Sequence, residues 1–206
     1  FLANGNWDCN SAVVTHRVAC TTRALTRALC CLIKLHSLGI FHGDIKPENF
    51  VVDEITHHVR LIDFESSNFV NKAECGADVT GYCTPLYSHP CVTAGQAVNG
   101  FEADMWAFGQ MAFTLYVGCS LFDIPSQSER IVRQNAFYKN FDWSHIYAQF
   151  IPRHVRQHST FSAFVDFVDV MCAQYNQQRP KHADMMLLQH PFLCSWQSHF
   201  HSLSQQ

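Results

Sequence analysis

No two cysteines in this chain stand in a C-x-x-C spacing, although it holds ten of them. A zinc ribbon and a thioredoxin-type redox site are both excluded by that pattern. Scattered as they are, with one adjacent pair at Cys30 and Cys31, they read as reduced, small core hydrophobes. That implies a reducing, intracellular setting, cytoplasm or nucleus. Charge is scarce too, at 15% of residues, and 14 basic against 17 acidic side chains leave a net charge of -3. A dedicated nucleic-acid binder is normally basic, so no nucleic-acid partner is expected. The apolar run Met105 to Val117 is too short to cross a bilayer and reads as a buried helix, so no membrane span is expected. "HVRQH", His154 to His158, spaces two histidines by four but lacks the glutamate of a zinc-protease helix. A capping or solvated role fits it better. Internal repeats and low-complexity tracts are absent as well.

What the chain has is core material. Of its 206 residues 48% are apolar, and 17 are Phe, enough for one large domain or two small ones. The 13 His are a reserve of charge that appears below about pH 6.5. From Ala24 to Leu38, Leu25, Ala28, Leu29, Leu32, Ile33 and Leu35 fall on one face of a helix, with Gly39 as its stop. "FVVD" (Phe50 to Asp53) and "VRLIDF" (Val59 to Phe64) are rich in β-branched and aromatic residues and read as a hairpin across "EITHH". Residues 65–100 are too rich in turn formers, and too long, for a passive link. Beyond them, "ADMWAFGQMAFTLYVG" is apolar nearly all round, so a buried helix is expected from about Asp104 to Gly118, with Trp106, Phe108, Met111 and Leu115 inside. Further helices follow, separated by "DIPSQS", "QFIPRH" and "YNQQRP".

Against this sparse charge, "FHGDIKPENF" (Phe41 to Phe50) gathers a His, two carboxylates, a Lys and an Asn in ten positions. Gly43 and Pro47 rule out a regular helix there. Asp44 and Asn49 precede the first hairpin strand and Asp63 ends the second, so the hairpin brings three oxygen-bearing side chains to one end. Hard oxygen ligands of this kind suit a Mg2+ ion that also binds phosphates. Lys46 adds a cation where a transferring phosphoryl group needs one.

"HGDIKPEN" followed by "LIDFE" resembles the catalytic loop and metal-binding segment of the protein kinase superfamily, HxDxKxxN and DFG. Aminoglycoside and choline kinases share HGD and IDFE, so a small-molecule kinase stays open on these two motifs alone. Three downstream stretches favour the protein kinases: "TPLYSHP" (Thr84 to Pro90) resembles TxxYxAPE, "DMWAFG" (Asp104 to Gly109) resembles DxWSxG, and "NQQRPKHADMMLLQHPFL" (Asn176 to Leu193) resembles the close of the domain. The resemblance covers about residues 24–193. It implies an α+β, predominantly α-helical fold: a protein-kinase-like C-terminal lobe with a small β-hairpin carrying the catalytic loop. By the same resemblance, ATP and Mg2+ are the cofactors and a protein Ser or Thr hydroxyl is the acceptor. Asp44 would orient that hydroxyl, Lys46 would contact the γ-phosphate, and Asn49 and Asp63 would hold Mg2+. Thr84 would bridge Asp44 and Lys46, and Asp104 would accept backbone hydrogen bonds from the catalytic loop, a role compatible with capping its own helix. Glu48 would meet a basic residue ahead of the target hydroxyl.

The chain departs from the family pattern in several places. Gly43 replaces the Arg that makes activity depend on a phosphate in the activation segment, so Thr80, at the usual phosphosite distance, is expected to be dispensable unless Lys72 reads a phosphate. Glu65 replaces the Gly of DFG, which should restrict the backbone and add charge beside the metal site. Cys91 replaces the Glu that would pair with Arg179, leaving that guanidinium to find another acceptor. No Gly-rich phosphate loop, strand Lys or partnering helix Glu lies upstream. The expectation is therefore that residues 1–206 form the C-terminal lobe only, cut from a parent chain that supplies the N-terminal lobe, and that the piece alone phosphorylates nothing. The rival reading is a pseudokinase or decoy that acts by protein binding.

Overall fold

The computed structural model describes residues 11–53, 55–69, 84–122, 124–140, 151, 153–172 and 182–195. Helix α1 (Ser11–Ser37) leads to strand β1 (Ile40–Phe41) and then to a loop closed by a 3-10 turn at Pro47–Asn49. Strands β2 (Phe50–Val52) and β3 (Val59–Leu61) form an antiparallel hairpin, with Phe50 opposite Leu61. Strand β4 (Asn68–Phe69) then returns to pair antiparallel with β1, Phe69 opposite Ile40. Helices α2 (Pro90–Thr93), α3 (Gly100–Val117), α4 (Gln127–Asn140), α5 (Arg153–Arg156) and α6 (Phe161–Cys172) follow, and a 3-10 turn at Met185–Gln189 comes last. This is a helical α+β lobe with two small two-stranded sheets.

Helix α1 begins well before the expected Ala24. Its first turns, SAVVTHRVAC, mix β-branched Val and Thr with His and Arg and show no leucine stripe; further along, Thr22 and Thr26 stay inside the helix by donating their hydroxyls to the Val18 and Thr22 carbonyls, each at 2.8 Å. The stripe itself is where periodicity puts it, with Leu25, Leu29 and Leu32 fully buried. Each such leucine contributes about 1.5–3 kcal/mol by leaving water. Gly39 ends the run in the left-handed region at φ +77°, its amide donating to the His36 carbonyl at 3.0 Å.

Helix α3 is the axis of the core. It starts four residues earlier than the sequence suggests because Asn99, not Asp104, is its cap, with Oδ1 accepting from the Phe101 amide at 2.9 Å. It ends where Gly118 turns left-handed at φ +90°. Trp106 and Phe108 are fully buried and Met111 nearly so, while Leu115 is only partly covered, because it and Thr114 occupy the one side of the last turn left partly open. Aromatic rings fill the space around the helix. Phe108 meets Phe50 and Phe167 edge-on, and Tyr116 stacks on Phe164 at 3.9 Å. That ring contact places the hairpin and α6 on the same helix. "QFIPRH" lies partly, and "YNQQRP" wholly, outside the described residues.

The α3–α6 crossing depends on Gly109. A Cβ there would meet Cys172 Sγ at 2.3 Å and Met171 Cβ at 2.9 Å. Gly109→Ala should therefore force the helices apart and cost about 2 kcal/mol, seen as a melting temperature lower by about 4–8 °C in a thermal scan followed by circular dichroism. Adding Cys172→Ala removes the nearest atom and should recover part of that loss. An unchanged melting temperature would show that the crossing is looser than this.

Candidate active site

The site begins with a carboxylate inside the core. Asp104, one turn into α3, is 1% exposed. Its Oδ1 accepts from the Gly43 amide at 2.8 Å, and its Oδ2 accepts from the His42 amide at 2.6 Å and from His36 Nε2 at 2.9 Å. The other His36 nitrogen, Nδ1, accepts from the Ala183 amide at 2.9 Å, so the ring proton lies on Nε2, facing Asp104. Two backbone donors and one ring donor surround one buried charge, which is how such a charge becomes tolerable. The loop after β1 is pinned at its first two amides.

His42 is fully buried beside it. A carbonyl can only accept and an amide can only donate, which fixes the ring: Nε2 donates to the Ile62 carbonyl at 3.0 Å and Nδ1 accepts from the Asp44 amide at 3.3 Å. The imidazole thus joins the catalytic-loop stretch to the segment carrying Asp63. The Asn49 carbonyl adds a second tie by accepting from the Ile62 amide at 2.9 Å.

Asp44, Lys46, Thr84 and Asn49 meet in one hydrogen-bonded group. Lys46 Nζ donates to Asp44 Oδ2 at 2.5 Å and to Thr84 Oγ1 at 3.0 Å, and Thr84 Oγ1 donates in turn to Asp44 Oδ1 at 2.8 Å. The Thr84 amide reaches the same Oδ1 at 3.1 Å, and Asn49 Nδ2 donates to the Asp44 carbonyl at 2.8 Å. Burial alone would push the Asp44 carboxyl up, but the hydrogen bonds from Lys46 and Thr84 outweigh it and hold the group below its ordinary range. The hydrogen bond to Asp44 raises Lys46 above its ordinary value, and the charges of Asp63 and Glu48 add to the effect.

Asp63 sits two residues beyond the end of β3 rather than within it. Its backbone is left-handed at φ +64°, a conformation that costs a non-glycine residue about 1–3 kcal/mol and is found where function fixes it. Among the described residues nothing pairs with its exposed carboxylate. With Asn49 Nδ2 spent on Asp44, the Asn49 Oδ1 is the amide atom left for a cation. One free carboxylate and one free amide oxygen fit a Mg2+ that keeps the rest of its shell for phosphate and water. The next departure from the family pattern has a milder effect than expected. Among the described residues only His57 and Asp63 are non-glycines with positive φ, so Glu65 needs no glycine-like backbone. It adds exposed charge and no strain.

Sequence reasoning missed His36, the role of the His42 ring, and the Glu65–Ser67 turn, whose Ser67 Oγ donates to the His42 carbonyl at 3.0 Å. Each acts through the backbone of a distant stretch, which spacing alone does not reveal. Cys91 is partly buried at the start of α2, its amide donating to His89 Nδ1 at 3.2 Å. Lys72, Thr80 and Arg179 lie outside the described residues. His158, of the "HVRQH" pair, is held by the Thr160 hydroxyl at 2.9 Å, a loop-fastening role.

The linkage has a definite sign. A depressed carboxyl contributes stability that is present above the ordinary carboxylate range and is lost as pH falls through the lowered value. Lys46→Met removes the strongest of the lowering interactions, so the Asp44 carboxyl should titrate at higher pH, with a smaller upward move in Thr84→Val. Carbon-detected NMR titration of that carboxyl reads both. Equal titration in all three proteins would mean that the group is not coupled as its distances imply.

Residues 10–193 match the protein kinase domain model. Over 93 residues the chain is 38% identical to maternal embryonic leucine zipper kinase of Danio rerio, which covers 45% of this chain and 14% of that protein. It is 34% identical over 119 residues to sucrose non-fermenting protein kinase 1 of Fusarium virguliforme, covering 54% of this chain and 16% of the relative. CBL-interacting protein kinase 9 of Oryza sativa matches at 38% over 93 residues, 44% of this chain and 20% of its own length. The chain thus aligns with a fifth or less of each of these relatives. The match over most of its length, set on the loop geometry above, places the chain in the protein kinase family.

Proposed function

We propose that this chain carries the catalytic loop of a Ser/Thr protein kinase, transferring the γ-phosphoryl group of ATP to a protein hydroxyl. The observation that carries the reading is the closed group of Asp44, Lys46 and Thr84. Three side chains from two distant segments, 38 and 40 residues apart, are already fixed against one another. Phosphoryl transfer asks little covalent chemistry of the protein, and positioning and charge do most of the work. Asp44, depressed and therefore ionised at neutral pH, accepts the hydrogen bond of an incoming hydroxyl and aligns its oxygen. Lys46, raised and therefore charged, sits where charge builds on the transferring group. Thr84 fixes the orientation of the pair, accepting from Lys46 and donating to the Asp44 oxygen that the lysine does not take. Mg2+ held by Asn49 and Asp63 supplies charge neutralisation across the phosphates when bound. Glu48 is exposed on the 3-10 turn, and its charge is felt by Tyr87 as well as Lys46. An acceptor sequence with an Arg near the target hydroxyl fits that carboxylate.

A second reading is a kinase lobe that binds partners without chemistry. Glu65 favours it, since it places another exposed carboxylate two residues from Asp63.

The test is Mg2+-dependent labelling of Arg-containing Ser/Thr peptides by the whole protein, beside its Asp44→Ala and Asp63→Ala variants. Asp44→Ala should lose about a thousandfold in turnover, and Asp63→Ala should lose labelling by weakening the metal-bound nucleotide. Equal labelling by all three, or none by any, removes the enzyme reading and leaves the binding one.

A further inference from the structure

The glycine ahead of Asp44 does more than omit a charge. Gly43 has φ +83°, and a Cβ built on it would lie 2.5 Å from the Ser66 carbonyl oxygen and 3.2 Å from the carbonyl carbon. Those are backbone atoms, which cannot swing aside as the end of a long side chain can. The stretch after Asp63 therefore lies directly on the bare backbone of residue 43. Around that contact the two stretches are tied again. Ser67 Oγ donates to the His42 carbonyl at 3.0 Å, His42 Nε2 donates to the Ile62 carbonyl at 3.0 Å, and the Ser67 amide closes its own turn onto the Phe64 carbonyl at 3.1 Å. The Phe64 ring meets the His42 ring edge-on at 5.2 Å. Immediately beyond, β4 pairs with β1.

An arginine at this position would tie the catalytic loop to a phosphate further along the same segment, by a charge-assisted pairing that exists only after modification. Here the joining groups are carbonyls, a hydroxyl, an imidazole and a strand pair, all present in the unmodified chain. We propose that Gly43 is a positioning residue: its missing side chain is the seat that holds the Glu65–Ser67 turn on the catalytic loop, fixing Asp63 beside Asn49 with no phosphate required. What the fixed carboxylate then does rests on the kinase reading above; the fastening itself does not.

Gly39 supplies the control. It has nearly the same backbone, φ +77°, but a Cβ there meets nothing within 4 Å. Gly39→Ala and Gly43→Ala therefore share the cost of a left-handed alanine, and only the second pushes against Ser66. The experiment is amide hydrogen exchange over residues 62–69 in whole protein shown by intact mass to carry no phosphate. The unmodified protein should protect these amides. Gly43→Ala should speed their exchange by about tenfold or more, Ser67→Ala by less, and Gly39→Ala should leave them unchanged. Protection that appears only after phosphorylation, or equal effects from the two alanine variants, overturns the proposal. A second readout separates positioning from general loosening. Gly43→Ala should weaken nucleotide binding about tenfold in the presence of Mg2+ and leave metal-free binding unchanged, since Asp63 acts through the metal. Equal weakening with and without Mg2+ speaks for a mere packing defect and against the proposal. If no form binds nucleotide at all, the catalytic reading falls and the exchange rates decide the fastening.

Discussion

The Asp104 carboxylate is the interaction on which the rest of the site depends. It is a charge inside an aromatic and aliphatic core, 1% exposed, and such a charge is stable only while its donors stay in place. Its donors are the His42 and Gly43 amides and the His36 ring. Losing the carboxylate would orphan two buried amides, at a cost of about 1–3 kcal/mol each. The same bonds that make Asp104 tolerable therefore make the loop rigid. Rigidity reaches further through His36, whose second nitrogen takes the Ala183 amide. Three distant stretches, around residues 36–42, 104 and 183, meet at one point, so the helical core and this loop cannot move independently.

From that anchor the order of dependence runs outward. Helix α3 is held by its rings against Phe50, Phe164 and Phe167. Asp104 transfers that stiffness to His42 and Gly43, and His42 passes it to Ile62 and so to Asp63. Asp44 and Lys46, part-buried, stand at the end of this series. They need no deep burial of their own, because the backbone under them is already fixed.

Much of this was legible in the sequence, for physical reasons that differ by element. The α1 stripe and the α3 core helix could be read because apolar periodicity is a direct consequence of burial. The hairpin could be read because β-branched runs flank a polar link, and Asp53 closes that link by accepting from the Ile55 and Thr56 amides. The start of α1 could not, because its early turns mix β-branched Val and Thr with His and Arg and carry no leucine stripe. The start of α3 was displaced because Asp104 looks like a cap while Asn99 is one. At the site, the residues that bear charge stood out against a charge-poor chain. His36 and the Glu65–Ser67 turn did not, since a side chain that binds distant backbone leaves no periodic trace.

The charge balance of the site constrains how any phosphate can approach it. Lys46 is the cation of the group, and it feels Asp44, Asp63 and Glu48 together, all of which raise its proton affinity. Glu65, two residues from Asp63 in the chain, is exposed. A bare polyphosphate entering such a field meets more negative charge than positive, and at short range each like-charge contact is unfavourable even in water. A divalent cation reverses that sign at the point of contact, because it satisfies the free oxygens of Asp63 and Asn49 while presenting positive charge outward. Under the kinase function proposed above, the carboxylates of Asp44, Asp63 and Glu48 around Lys46 make phosphate recognition pass through a cation and limit what Lys46 alone can achieve.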